Sequence, residues 1–238
     1  MNTNNESISR NYAAHKVIYN ISPFTLLDYP DKTACILWFA GCNMRCLYCY
    51  NPEIVFGKGK LTFADALVFL ESRKGLLDAV VLSGGECSLH QHLPEFITEI
   101  KRKGFLVKID TNGSKPGLLR YLTQEGLLDY VALDFKAPKN KFKTLTSSDL
   151  YLHFRESLRV LVSSGIRFEV RSTIHSDLLD QVDLNEMLEV LDTEGYTGNY
   201  YLQNYRNGSE TLMELGDSKT NYLDVSTNKT DINVLYRG

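Results

Sequence analysis

Short apolar runs alternate with amphipathic stretches along most of the chain, a pattern that predicts strand–helix units. Residues 33–40 read Thr-Ala-Cys-Ile-Leu-Trp-Phe-Ala and stop at Gly41, as a strand buried on both faces does. Residues 79–82, 105–109, 130–133, 167–174 and 199–203 repeat the signal. Helical spacing fills the intervals. It covers 61–72, with Leu61, Ala64, Leu67, Val68 and Leu70 at apolar positions, then 93–103 before Gly104 and 118–124 before Gly126. It returns over 149–163, with Leu150, Leu152, Leu158, Leu161 and Val162 and Gly165 as a stop. A last helix is expected over 184–191, with Leu184, Met187, Leu188 and Leu191 on one stripe ahead of Gly195.

Six strands alternating with helices imply an α/β fold with a mostly parallel sheet, a partial (β/α)6 TIM-type barrel. Six units rather than eight leave one side of such a barrel open. Residues 16–20 and 24–30 look like an extended lead-in that caps the barrel. After residue 206 the pattern weakens, and 231–236 is expected to add an edge strand. Residues 1–14 are expected to be a frayed tail and 15–238 a single domain.

Polar residues gather where each predicted strand ends, which in a βα barrel is where chemistry sits. The six ends carry, in order, a cysteine loop, Ser83-Gly-Gly-Glu86, Asp110-Thr-Asn-Gly113, Asp134-Phe-Lys136, Arg171, and Gln203-Asn-Tyr-Arg206. Each alone has a plainer explanation, as a tight turn or a rim ion pair. Together they point to one pocket. Gly84 and Gly85 let backbone approach a ligand closely. Glu86 is an acceptor for an ammonium group, and Lys136 and Arg171 are donors for a carboxylate. Asp110 and Asp134 could bind a sugar hydroxyl or a small cation, or orient Lys136.

The first strand end is the most specific. Cys42, Cys46 and Cys49 follow C-x3-C-x2-C, with Tyr48 before the last thiol and no fourth cysteine nearby. Three thiolates can hold three irons of a four-iron, four-sulfur cube and leave the fourth open, whereas cubes are usually closed by four cysteines. Structural zinc needs four ligands. The remaining candidates, Cys35, Cys87 and five histidines, form no short partner motif. Five cysteines, an odd number, and a polar start without the apolar stretch of a signal peptide speak against a disulfide framework. The net charge of −3 supplies no basic field for nucleic acid. No run approaches the roughly 20 apolar residues of a membrane helix. A cytoplasmic location with reduced thiols is expected.

The cysteine loop with Tyr48, followed by Gly84-Gly-Glu86, resembles the radical S-adenosylmethionine superfamily. Leu27-Asp-Tyr-Pro30, Tyr50-Asn-Pro-Glu53, Asp110-Thr-Asn-Gly113, Asp134-Phe-Lys-Ala-Pro138 and Leu202-Gln-Asn-Tyr-Arg206 resemble its glycyl-radical-enzyme activating proteins. The branch most similar is the one that activates anaerobic ribonucleoside-triphosphate reductase. The resemblance implies a [4Fe-4S] cluster on Cys42, Cys46 and Cys49 that reductively cleaves S-adenosylmethionine. The 5′-deoxyadenosyl radical so released takes hydrogen from a glycine of a large partner enzyme. It implies a flavodoxin or ferredoxin-type electron donor. It places Gly84, Gly85 and Glu86 at the methionine end of the cofactor, and Asp110, Asp134, Lys136 and Arg171 as contacts to the cofactor or to a cation beside it. Tyr48 and Tyr50 either flank the adenine or are structural. Two positions depart from the pattern. Cys87 stands where Pro is frequent, either a radical relay or an inert buried thiol. Tyr50 stands where activators of pyruvate formate-lyase often have His. Activation of pyruvate formate-lyase or another glycyl-radical enzyme, a small-molecule radical enzyme, and a zinc- or cluster-binding module are the alternatives.

Overall fold

The structure, a computed structural model, describes residues 15–219 and 231–237. The expected frayed tail, 1–14, lies outside the described residues. Along the chain run β1 (Lys16–Thr25), β2 (Ala34–Phe39), helix α1 (Pro52–Val55), β3 (Leu61–Thr62), α2 (Phe63–Glu71) and β4 (Ala79–Gly84). There follow α3 (Leu93–Arg102), β5 (Leu106–Thr111), α4 (Pro116–Gln124), β6 (Tyr130–Asp134), α5 (Lys139–Thr146) and α6 (Tyr151–Ser164). The chain continues through β7 (Phe168–Ile174), α7 (Gln181–Thr193), β8 (Asn199–Asn204) and β9 (Asn233–Arg237).

The described strands form one sheet in the order β3-β1-β2-β4-β5-β6-β7-β8-β9. From β2 to β9 every pairing is parallel. The six expected βα strands are therefore consecutive neighbours in a partial barrel, whose two edges, β3 and β9, do not pair with each other. The first part of the expected lead-in proves to be a strand, whereas 26–30 is bend and turn: β1 pairs antiparallel with β2, Ile18 opposite Phe39 and Thr25 opposite Ala34. Its mixed burial, interrupted by register shifts, hides the period-two signal.

Strand parity decides which residues face the helices and which face the barrel interior. Cys35, Leu37, Phe39, Val80, Leu82, Val107, Ile109, Val131 and Leu133 join the large core with Ala66, Leu70, Phe96, Ile97 and Leu119 from the helices. Phe63 stacks on Phe96 with centroids 4.2 Å apart, and Phe135 on Phe154 at 4.3 Å. Truncating such a ring to Ala costs about 3–5 kcal/mol. The alternate residues Ala34, Ile36, Ala79 and Val81 form a smaller inner cluster, joined by Tyr29 and Tyr130. Higher on this inner face the strands change character: Ser83, Lys108, Asp110, Asp134 and Arg171 continue it in polar residues.

Local signals account for most boundaries. Thr62 and Asp65 make a reciprocal capping box at the start of α2, and Asp180 and Asp183 do the same for α7. Pro116 opens α4, where its missing N–H costs nothing. Three apolar positions expected inside stripes face outward instead, Ala64, Val68 and Leu152. The buried faces are Phe63, Ala66 and Leu70 in α2, and Tyr151, Phe154, Leu158, Val160 and Leu161, among others, in α6. Among the described residues no helix is long and apolar enough to cross a membrane.

Candidate active site

The cysteine loop leaves the C-terminal end of β2 and is held by backbone on several sides. Gly85 N–H donates to Phe39 O at 2.8 Å, and Glu86 N–H to Gly41 O at 2.9 Å. These bonds need glycine. A Cβ on Gly84 would lie 2.4 Å from Phe39 N, and one on Gly85 would lie 1.9 Å from Gly41 O. Gly84 also has φ +117°, which side-chain-bearing residues rarely adopt. The close approach made by Gly84 and Gly85 is thus to the root of the cysteine loop itself.

On another side sits α5, which the sequence pattern did not reveal. Its last carbonyls, Leu145 and Thr146, accept from Leu47 N–H at 3.0 Å and Arg45 N–H at 2.7 Å. Arg45 folds back so that Nη1 donates to the carbonyls of Cys42 and Met44, at 2.7 and 2.8 Å. Asn112 Nδ2 donates to Asn43 Oδ1 at 2.9 Å, and Asn43 Nδ2 to Ser114 Oγ at 2.9 Å. Arg45 and Ser114 are supports that sequence reasoning missed, and Asn43, part of the Gly41-Cys-Asn43 stretch that resembles the activating proteins, receives no role from the sequence. Their only signal is position, in the cysteine loop or directly after the Asp-Thr-Asn-Gly turn.

All three loop cysteines are free thiols. Burial pushes Cys46 up to about 12, against the pull of the Lys136 ammonium, with Cys42 and Cys49 adding to the rise. Burial likewise raises Cys42 to about 11. The three sulfurs and Lys136 therefore sense one another. Burial thus favours the neutral thiol at Cys42 and Cys46, and a bound cation would favour the thiolate by displacing the proton. Among the described residues, no three Cys, His, Asp or Glu side chains form a group suited to holding a single metal ion. In a cube each thiolate binds a different iron.

Beside the loop, the inner face of β5 to β7 carries a chain of charges. Lys108 Nζ donates to Asp110 Oδ1 at 2.8 Å, and Ser83 Oγ to Asp110 Oδ2 at 3.0 Å. Arg171 lies 3.5 Å from Asp110 and binds Asp134 through Nε at 2.9 Å. Lys136 Nζ donates to Asp134 Oδ2 at 3.1 Å. Burial opposes ionisation of Asp110, but Arg171 and Lys108 outweigh it and hold the carboxyl down to about 2. Asp134 is lowered in the same way by Arg171 and Lys136, again against burial. Three cations face two carboxylates, so one positive charge is in surplus. An anionic ligand group, such as a carboxylate, would balance it. Lys108 went unnoticed in the sequence. Its signal is a lysine inside an apolar run, two residues before Asp110 and so on the same strand face.

The remaining expected residues are more deeply committed. Glu86 is buried, and its carboxylate accepts from Ser88 N–H at 3.1 Å, Thr111 Oγ1 at 2.8 Å and Asn112 N–H at 2.7 Å. Burial raises its pKa, and those bonds oppose the rise. The acid therefore ties the end of β4 to the end of β5. Tyr48 is buried and donates to the Lys136 carbonyl at 3.0 Å. Tyr50 accepts from Arg206 N–H at 2.8 Å and stacks on Tyr205. Cys87 is fully buried, 3.7 Å from the Asp110 carbonyl, and burial raises its thiol well above the ordinary range.

The arrangement fits an iron–sulfur cube with an amino-acid-bearing cofactor: three free thiols on one braced loop, with a surplus positive charge beside them. Comparison with known proteins gives the same answer. The family model described as the Radical SAM superfamily matches residues 36–193. A protein of Methanocaldococcus jannaschii, provisionally named as a glycyl-radical enzyme activating enzyme, is 29% identical over 182 residues, covering 74% of this chain and 75% of its own. The pyruvate formate-lyase-activating enzyme of Clostridium pasteurianum is 30% identical over 174 residues, covering 68% and 70%. A 7-carboxy-7-deazaguanine synthase of Aquifex aeolicus is 34% identical over 150 residues, covering 55% and 68%. In fold, the chain is similar to Streptococcus suis SuiB bound to its precursor peptide SuiA, with a TM-score of 0.67 at 13% identity over 85% of this chain. This chain spans about half the length of that one, 48%. The chain belongs to the radical SAM superfamily, enzymes that work with a [4Fe-4S] cluster and S-adenosylmethionine.

Proposed function

We propose that this chain activates a glycyl-radical enzyme, and that its partner is the anaerobic ribonucleoside-triphosphate reductase. The observation that carries the reading is the unclosed sheet. Among the described residues β3 and β9 are separate edges, and a sheet left unclosed in this way suits a loop of a large protein as substrate. The names of two relatives point the same way.

In this reading Cys42, Cys46 and Cys49 ligate the cluster. Lys136 and Arg171 hold the cofactor's carboxylate: each has donors left after its bond to Asp134, an ammonium having three and a guanidinium five. Asp134 fixes both cations in place, and Asp110 holds Arg171 from the other side. Gly84, Gly85 and Glu86 wall the methionine end, with Glu86 acting through Thr111 and Asn112. Tyr48 holds the backbone at Lys136, and Tyr50 braces the far end of the loop. The cluster and S-adenosylmethionine supply the one-electron chemistry that ends in hydrogen abstraction from glycine, and the protein supplies orientation. A flavodoxin or ferredoxin-type protein delivers the electron in the cytoplasm.

A second reading is favoured by the likeness to 7-carboxy-7-deazaguanine synthase, in which the substrate is a small molecule. One experiment separates them. The reconstituted, reduced chain is mixed anaerobically with S-adenosylmethionine and the reductase, and the partner is examined by electron paramagnetic resonance. A glycyl radical on the reductase supports the proposal. Cofactor cleavage without such a radical, on this or any other glycyl-radical enzyme, favours the small-molecule reading.

A further inference from the structure

Between β8 and β9 the described residues carry no regular element, yet residues 207–218 are closed into a loop by one side chain. Asn207 Nδ2 donates to the Ser218 carbonyl at 3.1 Å, and Asn207 Oδ1 accepts from Ser218 N–H at 2.8 Å. This is an Ω-type closure. The middle of the loop lies along the cysteine loop: Leu212 N–H donates to the Cys49 carbonyl at 3.0 Å, and Met213 N–H to the Leu47 carbonyl at 3.1 Å. Leu47 is held on its other side by α5, so the segment before Cys49 is bonded across both flanks.

His175, directly after β7, anchors the far limb. It is 1% exposed. Its Nδ1 accepts from Asp177 N–H at 3.2 Å, which places the proton on Nε2. Nε2 then donates to the Gly216 carbonyl at 2.9 Å. Ser176 N–H donates to Ser218 Oγ at 3.1 Å, one residue further along. The imidazole packs edge-on to Tyr205 at 4.6 Å, and Tyr205 stacks on Tyr50 at 5.7 Å.

We propose that residues 207–218 are a clasp over the cysteine loop, which keeps Cys49 in place and screens the cluster from water and oxygen. His175 is the positioning residue that pins it. The inference rests on the assignment of Cys42, Cys46 and Cys49 as cluster ligands.

The test uses Asn207→Ala, whose side chain is exposed, and His175→Ala, whose side chain is buried. In cluster-free protein, hydrogen exchange at Leu212 and Met213 should quicken about tenfold or more in both variants, since His175→Ala removes one hydrogen bond to the loop and Asn207→Ala removes two. Exchange in the barrel strands should not change. After anaerobic reconstitution the variants should begin with wild-type iron content, and their visible absorbance should bleach in air about tenfold faster. Wild-type exchange rates at Leu212 and Met213 in Asn207→Ala, or bleaching at the wild-type rate in cluster-loaded Asn207→Ala, would overturn the clasp. If His175→Ala fails to fold, Asn207→Ala alone decides. A wild-type chain that takes up no four-iron cluster overturns the ligand assignment and the screening role with it, a failure distinct from unchanged bleaching in a loaded variant.

Discussion

Arg171 grips a single oxygen of Asp134 with two nitrogens, Nε at 2.9 Å and Nη2 at 2.8 Å. The other oxygen of Asp134 takes Lys136, so one carboxylate aligns both cations on the inner face of the barrel. Removing Arg171 leaves Asp134 and Asp110 under-compensated. Arg171→Ala should therefore destabilise the fold by about 3 kcal/mol, read as a lower urea midpoint. It should also weaken S-adenosylmethionine binding more than it lowers iron content, and Lys136→Ala should share that binding defect. Iron loss with unchanged cofactor affinity would mark both residues as purely structural.

Acid stability follows from Asp110. Its carboxyl is held down to about 2 by Arg171 and Lys108, below the ordinary aspartate value of about 3.9. The carboxylate thus contributes stability that is fully present above about pH 4 and lost as pH falls through about 2. The contribution is on the order of 2 kcal/mol. Lys108→Met removes one of the two cations responsible, so its acid unfolding midpoint should move to higher pH. Circular dichroism of cluster-free protein between pH 2 and 5 reads this out, in that window of roughly three units. An unmoved midpoint would mean that Arg171 alone holds Asp110 ionised.

The inner face of the barrel was readable from the chain in part only. Repeated apolar runs predicted six parallel strands, and polar residues at their ends marked the candidate site, because a buried parallel strand and its βα loop each leave a local signature. Helix α5 left almost none: among its eight residues only Phe142, Leu145 and Thr146 are buried, and Lys141 reaches across to Asp183. The clasp at 207–218 is held by backbone and side-chain hydrogen bonds, which no periodicity records. Gly-Gly-Glu suggested approach to a ligand, whereas its two glycines meet the backbone of Phe39 and Gly41. A pattern of residue types shows that close approach is needed and leaves open what approaches.

Two glycines at the root of the cysteine loop should respond differently to a methyl group. The Cβ of Gly85→Ala would lie 1.9 Å from Gly41 O, whereas nothing lies within 4 Å of one on Gly41. Gly85→Ala should cost about 3 kcal/mol by forcing backbone apart, and should lower iron content because Cys42 follows Gly41. Gly41→Ala meets only its positive φ of 86°, worth about 1 kcal/mol. Urea melts and iron per chain compare the two. Equal losses would show that the seat of the loop does not depend on this contact.

Cys46 is buried and senses both Cys42 and Cys49, and on the proposed assignment its replacement removes a ligand with little core volume. Cys46→Ala should keep the far-ultraviolet circular dichroism of the parent chain and lose cluster-dependent formation of 5′-deoxyadenosine. Retained product in that variant would strike Cys46 from the ligand set.

The most direct measurement is electron paramagnetic resonance of anaerobically reconstituted, reduced protein before and after addition of S-adenosylmethionine. An iron left without a protein ligand predicts a four-iron signal that shifts when the cofactor is added, in the parent chain and not in Cys46→Ala. A mononuclear zinc centre, or a cube whose signal ignores the cofactor, would contradict the account.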